Sequence, residues 1–368
     1  MRIGVLTIPF NNNYGGYLQS YALMTVLKNM GQSPTLIMRR QNRRSIRLKS
    51  KLLFFIKNIV KTVKEGRRYP LILDQETWFK YRGGKMLSFV NQNIQPQTKY
   101  LYTTIDLQAE CDGTFDAYIV GSDQVWRPIY VKGIISNFFL DFVNESPVKR
   151  ISYGASFGTS SPEYTDAEKS TCGKLLEQFD AVSVREKGAL DVIKNFGWKA
   201  KTPQVVLDPT MLLSRTCYDN LIPAVNIQAK GRIFCYVLDK NESNSHVIKK
   251  KQQSLQKDIY EIADIQKGYT VLPSIEAWLS AIRDCDYVIT DSYHGTVFSI
   301  IFNKPFLVCV NKERGADRFV SLLETFGLEN HMSLCRLGTE EPIDWGNVNR
   351  ILEEKRKEGM IFLERALK

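Results

Sequence analysis

The 368-residue chain is predicted to be an α/β protein built from two doubly wound halves that face each other across a cleft. Its length exceeds what one hydrophobic core comfortably holds and suits two domains of about 150 to 200 residues. Apolar runs of strand length alternate with segments of helical periodicity from end to end, the pattern of parallel sheets with helical crossovers. Four of the strand patterns close on glycine- and polar-rich loops, and open parallel sheets bind ligands at such carboxyl ends. Hydrophobic residues make up 43 % of the chain and charged residues 24 %, which excludes an extensively disordered protein.

In chain order, Arg2 to Ile8 read as a buried strand, Asn11 to Gly16 as a loop, Tyr17 to Gly31 as a helix and Leu36 to Met38 as the next strand. A basic insertion follows, then a helical pattern from Glu76 to Val90. The strand preceding Gly121 comes next, then strands over Lys149 to Ala155 and Ala181 to Val184, with helices over Thr165 to Phe179 and Glu186 to Phe196. Val205 to Leu207 lead into Asp208-Pro209-Thr210. The second half repeats the alternation, with strands at Arg232 to Leu238, Ile259 to Ala263, Tyr287 to Thr290 and Pro305 to Val310. Its helices are expected near 245–256, 274–284 and 295–303. These patterns divide the chain into 1–215, 216–340 and a last helix within 341–368 that is expected to pack back on the first half.

Charge is unevenly spread. Arg39 to Arg68 hold twelve Lys and Arg against the single acid Glu65, while the rest of the chain is balanced. Leu48, Leu52, Phe55, Ile56, Ile59 and Val63 recur among those basic residues at helical spacing, as in a helix lying on an anionic membrane surface. A solvated basic helix packed on its own domain is the plainer alternative. Aromatic residues interleaved with the charges are few, so nucleic acid is not the expected partner. The N-terminus lacks the apolar core and cleavage site of a signal peptide, and no apolar run reaches 18 residues. The expected location is the cytoplasm, with peripheral attachment to the inner face of the membrane. Seven scattered cysteines without metal-type spacing are expected to be reduced thiols.

Candidate site residues come from the strand ends. In Asn11 to Gly16, neighbouring glycines allow a backbone to approach an anion and the asparagines suit hydroxyl groups; a generic turn explains them equally. Ser122, Asp123, Gln124 and Trp126 set a hydroxyl, a carboxylate, an amide and an indole on one loop, a set suited to a sugar, or else a cap and a packing residue. His294 precedes a helical pattern, where an imidazole exchanges protons near neutral pH and a helix N-terminus faces an anion. Arg185, Arg314 and Arg318 are suited to capturing phosphate or carboxylate, or to surface pairing with Glu186, Glu313 and Asp317. Asp284-Cys285-Asp286 matches a DxD string at a helix end and is expected to be a solvated pair.

Four motifs occur in order: NYGGYLQSYAL from Asn13, VGSDQVW from Val120, SVRE from Ser183 and TDSYHGTVFSIIFNKP from Thr290. Together they resemble the polysaccharide pyruvyl transferase family over about residues 1 to 330. The resemblance implies two Rossmann-like domains arranged as in GT-B glycosyltransferases, with phosphoenolpyruvate as donor and a pair of glycan hydroxyls as acceptor. For that reaction, donor contacts are expected from Arg185, Ser292, His294, Gly295, Lys304, Arg314 and Arg318, and acceptor contacts from Asn13, Tyr14, Gly15, Gly16, Ser122, Asp123, Gln124 and Trp126. His294, Arg185 and Asp123 carry the implied chemistry, with Asp291 a further base. The family usually has an arginine two positions before the motif histidine; here it is Ser292, and Arg314 or Arg318 is expected to replace that contact. No metal or cofactor is expected, and the acceptor is expected to be carried on a polyprenyl diphosphate. A nucleotide-sugar glycosyltransferase on the same fold is the main alternative, and a non-catalytic membrane- or RNA-binding protein another.

Overall fold

The structure, a computed structural model, describes residues 1–40, 75–144, 147–222, 224–239, 241–262, 271–309, 316–333 and 341–368, together with Leu52, Leu53, Phe55, Ile56, Ile59, Val60 and Val63. Strands Arg2–Leu6 (β1), Ser33–Ile37 (β2), Ala117–Val120 (β3), Lys149–Ala155 (β4), Ala181–Val184 (β5) and Gln204–Val205 (β6) form a parallel sheet in the order β2-β1-β3-β4-β5-β6. Strands Ile233–Tyr236 (β7), Ile259–Tyr260 (β8), Tyr287–Thr290 (β9) and Phe306–Val308 (β10) form a second parallel sheet in the order β10-β9-β7-β8. Both sheets are therefore of the doubly wound kind expected. Central strands such as β3 and β9 are buried at every position, because crossover helices cover both faces of a parallel sheet.

The helices are Tyr14–Asn29 (α1), Gln75–Asn93 (α2), Thr104–Cys111 (α3), Asp166–Leu176 (α4), Gly188–Asn195 (α5), Arg215–Asp219 (α6), Glu242–Leu255 (α7), Ile275–Asp284 (α8), Tyr293–Ile301 (α9), Asp317–Phe326 (α10) and Trp345–Leu367 (α11). Among those that start earlier than their periodicity predicts are α1 and α9. The Asn13 side chain accepts a hydrogen bond from Gly15 N at 3.2 Å, so α1 begins at Tyr14 and takes Gly15 and Gly16 into its first turn. The Ser292 hydroxyl accepts from Gly295 N at 3.3 Å, so α9 begins at Tyr293 and contains His294.

A continuous hydrophobic cluster runs from the first sheet into the second. Tyr14 joins them: its ring stacks on Trp278 of α8 at 5.2 Å, and its hydroxyl donates to Pro273 O at 3.0 Å. The terminal α11 lies against β4, where Phe362 meets Tyr153 and the Arg356 guanidinium donates to the carbonyls of Met211 and Leu213. Cys111, Cys172, Cys235, Cys285 and Cys309 are buried thiols and Cys217 is half-buried; Cys335 lies outside the described residues. Asp286 pairs with Lys257 at 2.5 Å near the surface, whereas Asp284 is not the solvated carboxylate expected: it is largely buried, pairs with Arg283 at 2.7 Å and accepts from Asn226 N at 2.7 Å. No helix among the described residues is long and apolar enough to cross a membrane.

Candidate active site

The carboxyl ends of β1, β3, β7 and β9 converge on a pocket of about 330 Å³. The first half supplies Asn11, Asn12, Asn13, Asp123, Gln124 and Tyr130 to its wall. The second half supplies Tyr236, Asp291, Ser292, Tyr293, His294 and Arg318. Its volume lies in the range of small-molecule sites. A larger cavity, about 680 Å³, is lined by Lys149 and Ala181 at the amino ends of β4 and β5 and by α11, away from these side chains.

His294 stands in the first turn of α9, almost fully buried, with its imidazole against Gly15. A Cβ added at Gly15 would fall 1.9 Å from His294 Nδ1, so glycine is what lets the ring stand there. On its other side, His294 Nε2 lies 3.5 Å from Asp208 Oδ2 and has no other hydrogen-bond partner. Asp208, completely buried after β6, is the hub of the site. Its Oδ1 accepts from Thr210 N at 3.0 Å and from Thr210 Oγ1 at 2.7 Å, and its Oδ2 meets Arg185 at 3.0 Å and Ser122 Oγ at 3.2 Å. Burial alone would raise the pKa of this carboxyl; His294, Arg185 and the Thr210 hydroxyl outweigh it and hold the group well below the usual carboxylate range.

Arg185 was expected to capture the donor, and the structure corrects this. Its side chain is 0 % exposed and is ringed by Asp208 at 3.0 Å, Asp123 at 3.4 Å and Glu186 at 3.8 Å, with the Tyr293 ring 4.2 Å from its guanidinium carbon. Burial works against its charge, but Tyr293 and the three carboxylates overcome it and raise its pKa further. Its two terminal nitrogens bond Asp208 and Asp123, and its Nε, without a hydrogen bond, is buried 3.8 Å from Glu186, so the guanidinium is not open to a substrate anion. Arg318 has the opposite situation. It lines the pocket, its Nε has no hydrogen-bond partner, and it makes no ion pair among the described residues. Burial and the neighbouring Arg185 charge both lower its pKa, so an anion placed beside it would relieve both.

The remaining expected residues divide. Asn13, Asp123, Gln124, Ser292 and His294 line the pocket. Asn12, also in the wall, presents a buried Oδ1 that no hydrogen bond satisfies. Gly15, Gly16 and Gly295 are buried in the first turns of α1 and α9 and are not among the residues that line the pocket; Gly15 faces the His294 ring and Gly295 packs against Thr290. Asp291 lines the pocket while its two oxygens accept from Leu238 N and Asp239 N at 2.7 and 2.8 Å, tying the end of β9 to the end of β7. Four residues are corrected. Trp126 is fully buried, stacked on Phe139 at 5.0 Å and donating to Phe138 O, so its indole fills the core and does not meet a sugar. Tyr14 is committed to the core contact with Trp278. Ser122 is fully buried and meets Asp208 and Gly154 O, each at 3.2 Å, instead of the pocket. Lys304 precedes β10 and therefore lies at the amino end of the sheet, where it donates to Cys285 O at 2.9 Å. Arg314 lies outside the described residues.

Sequence reasoning missed Asp208 and Tyr130. Asp208 had a legible signal, a carboxylate closing an apolar strand as Asp123 and Asp291 do. Tyr130, 42 % exposed on the loop after β3, is the aromatic that the pocket presents where Trp126 was expected.

Fold and site thus define an α/β protein with a histidine–carboxylate pair in the cleft between two parallel-sheet halves. Residues 13–313 match the sequence model of the polysaccharide pyruvyl transferase family, and the chain belongs to that family of transferases. It matches no curated protein sequence. Similar solved structures include the UDP-GlcNAc 2-epimerase of Neisseria meningitidis bound to UDP-GlcNAc, at 12 % identity, covering 97 % of this chain and 100 % of that one with a TM-score of 0.44. The UDP-GlcNAc 2-epimerase of Methanocaldococcus jannaschii is similar at 8 % identity, with coverage of 96 % and 92 % and a TM-score of 0.46. A Streptomyces glycosyltransferase is similar at 12 % identity, with 98 % of each chain covered and a TM-score of 0.41.

Proposed function

We propose that the chain transfers the enolpyruvyl unit of phosphoenolpyruvate to two hydroxyls of one sugar in a polysaccharide precursor, forming a pyruvate ketal and releasing inorganic phosphate. The observation that supports this reading is one pocket lined by His294 and Arg318, which makes no ion pair among the described residues, from the second half and by Asn13, Asp123 and Gln124 from the first. Arg318 and the backbone N–H groups at the start of α9 hold the donor's anionic groups, and Ser292 caps that helix where the family usually has arginine.

His294 gives a proton to the methylene carbon, and positive charge develops at the second carbon of the donor. The first sugar hydroxyl forms a C–O bond there as Asp123 orients it. The carbon–phosphate C–O bond then breaks, its electron pair leaving with phosphate, and the second hydroxyl closes the ring. Of the two hydroxyl protons released, one restores His294 and the other leaves with phosphate. A proton transfer of this kind contributes about 10²- to 10⁴-fold.

An acceptor carried on a polyprenyl diphosphate would lie at the cytoplasmic membrane face, and the basic, apolar segment 39–68 would hold the enzyme there as a peripheral protein. Arg39 and Arg40 of that segment are buried against the first half; most of the rest lies outside the described residues.

Ligand-induced stabilisation tests the donor. A ligand at a hundredfold over its Kd adds about 2.7 kcal/mol of stability, so phosphoenolpyruvate is expected to raise the melting temperature and Arg318→Ala to weaken that rise. A larger rise with a UDP-sugar than with phosphoenolpyruvate would instead favour a nucleotide-sugar glycosyltransferase.

A further inference from the structure

The reaction above makes no direct use of Asp208, yet among the described residues no carboxylate near the cleft is more completely enclosed. Its Oδ1 is occupied by Thr210 and its Oδ2 by Arg185 and Ser122, so the carboxylate has little freedom to turn. The one buried ring nitrogen of His294 that lacks a hydrogen bond points at that same Oδ2. Arg185 is in turn fixed from four sides, by Asp208, Asp123, Glu186 and the Tyr293 ring. Tyr293 adjoins His294 in sequence and packs edge-on to its imidazole at 5.4 Å.

We infer that Asp208, held by Arg185 and Thr210, is a positioning residue that keeps the proton of His294 on Nε2 and leaves Nδ1 as the nitrogen that exchanges a proton with the substrate. A neutral imidazole carries its proton on either nitrogen, and the hydrogen bond made by one nitrogen decides the form of the other. Gly15 packs over the ring face at Nδ1 and brings no side chain there, and His294 itself lines the pocket. A histidine near neutral pH needs both its tautomer and its direction fixed to act on one carbon of a small substrate. The role of Nδ1 rests on the transfer reaction proposed above; the Asp208–Nε2 contact does not.

The test therefore begins without substrate. In protein labelled with ¹⁵N-histidine, a downfield imidazole N–H protected from solvent exchange is expected and should be assigned to Nε2 by its disappearance in His294→Gln. Asp208→Asn should lose this resonance or expose it to exchange. Phosphate release from phosphoenolpyruvate with a lipid-linked oligosaccharide should fall about 10²-fold in kcat, with KM for phosphoenolpyruvate little changed. Tyr118→Phe, which removes a buried hydrogen bond to Cys111 O elsewhere in the first half, controls for general destabilisation and should leave the resonance and kcat intact. A neutral wild-type ring protonated on Nδ1 alone, or a ring whose Nε2 proton exchanges freely, would overturn the inference even if Asp208→Asn does not fold. An unchanged kcat in folded Asp208→Asn would do the same. A protected Nε2–H in a protein that never releases phosphate would leave the positioning contact standing and count against the transfer reaction instead.

Discussion

Gly15 and His294 come from opposite halves of the molecule and meet closely enough that the identity of one fixes the placement of the other. A methyl group at position 15 would sit 1.9 Å from Nδ1 and has to push the imidazole off Asp208. Alanine is favoured over glycine inside a helix by about 1 kcal/mol, so Gly15→Ala should remain folded by circular dichroism while losing 10²- to 10⁴-fold in turnover, the worth of one proton transfer. Retention of most activity in that variant would mean that the ring is not held where the structure has it. At this scale, residue type told only part of the story. His294 and Asp123 were legible because polar groups at strand ends have few reasons to be there other than chemistry or capping. Arg185 looked equally suited to an anion, but one sequence does not reveal that three carboxylates from separate strand ends converge on it. Trp126 illustrates the reverse, since nothing in its spacing separates an indole stacked in the core from one presented to a sugar.

The elements were the most legible level. β4, β5 and β9 run over the residues that their apolar patterns predict, because a strand buried on both faces has a distinct run length and ends at a charge or a turn. The helix starts were harder, since α1 and α9 begin on cap residues that also read as loop. The helix α3 was not foreseen, although Thr103 and Asp106 form a reciprocal cap at its start; at eight residues it has too few turns for periodicity to stand out. The basic segment carries its own prediction. Leu52, Leu53, Ile56, Ile59, Val60 and Val63 are helical and exposed, and in sequence they alternate with lysines. Apolar side chains open to water among cations match an anionic bilayer surface. Removal of residues 43–66 is expected to abolish co-sedimentation with phosphatidylserine-containing vesicles at low salt. Undiminished sedimentation of the shortened chain would dismiss the membrane role.

At the scale of the whole molecule, two parallel sheets share one continuous hydrophobic cluster and present their carboxyl ends to one pocket. The two-sheet architecture was legible from the alternation of strands and helices along the chain. The pairing of the halves across Tyr14 and Trp278 was not, because it depends on which face of α1 turns toward α8, and α1 is buried nearly all round. Each half alone lacks part of the proposed chemistry: the first holds hydroxyl-binding groups and Asp208, the second His294 and Arg318. Mass spectrometry of a lipid-linked oligosaccharide incubated with the protein and phosphoenolpyruvate tests the combination most directly. The wild-type chain should add one pyruvyl ketal and release one phosphate per sugar modified, and His294→Ala should add none. An acceptor panel left unmodified by phosphoenolpyruvate but extended by a sugar from a UDP-sugar would contradict the account.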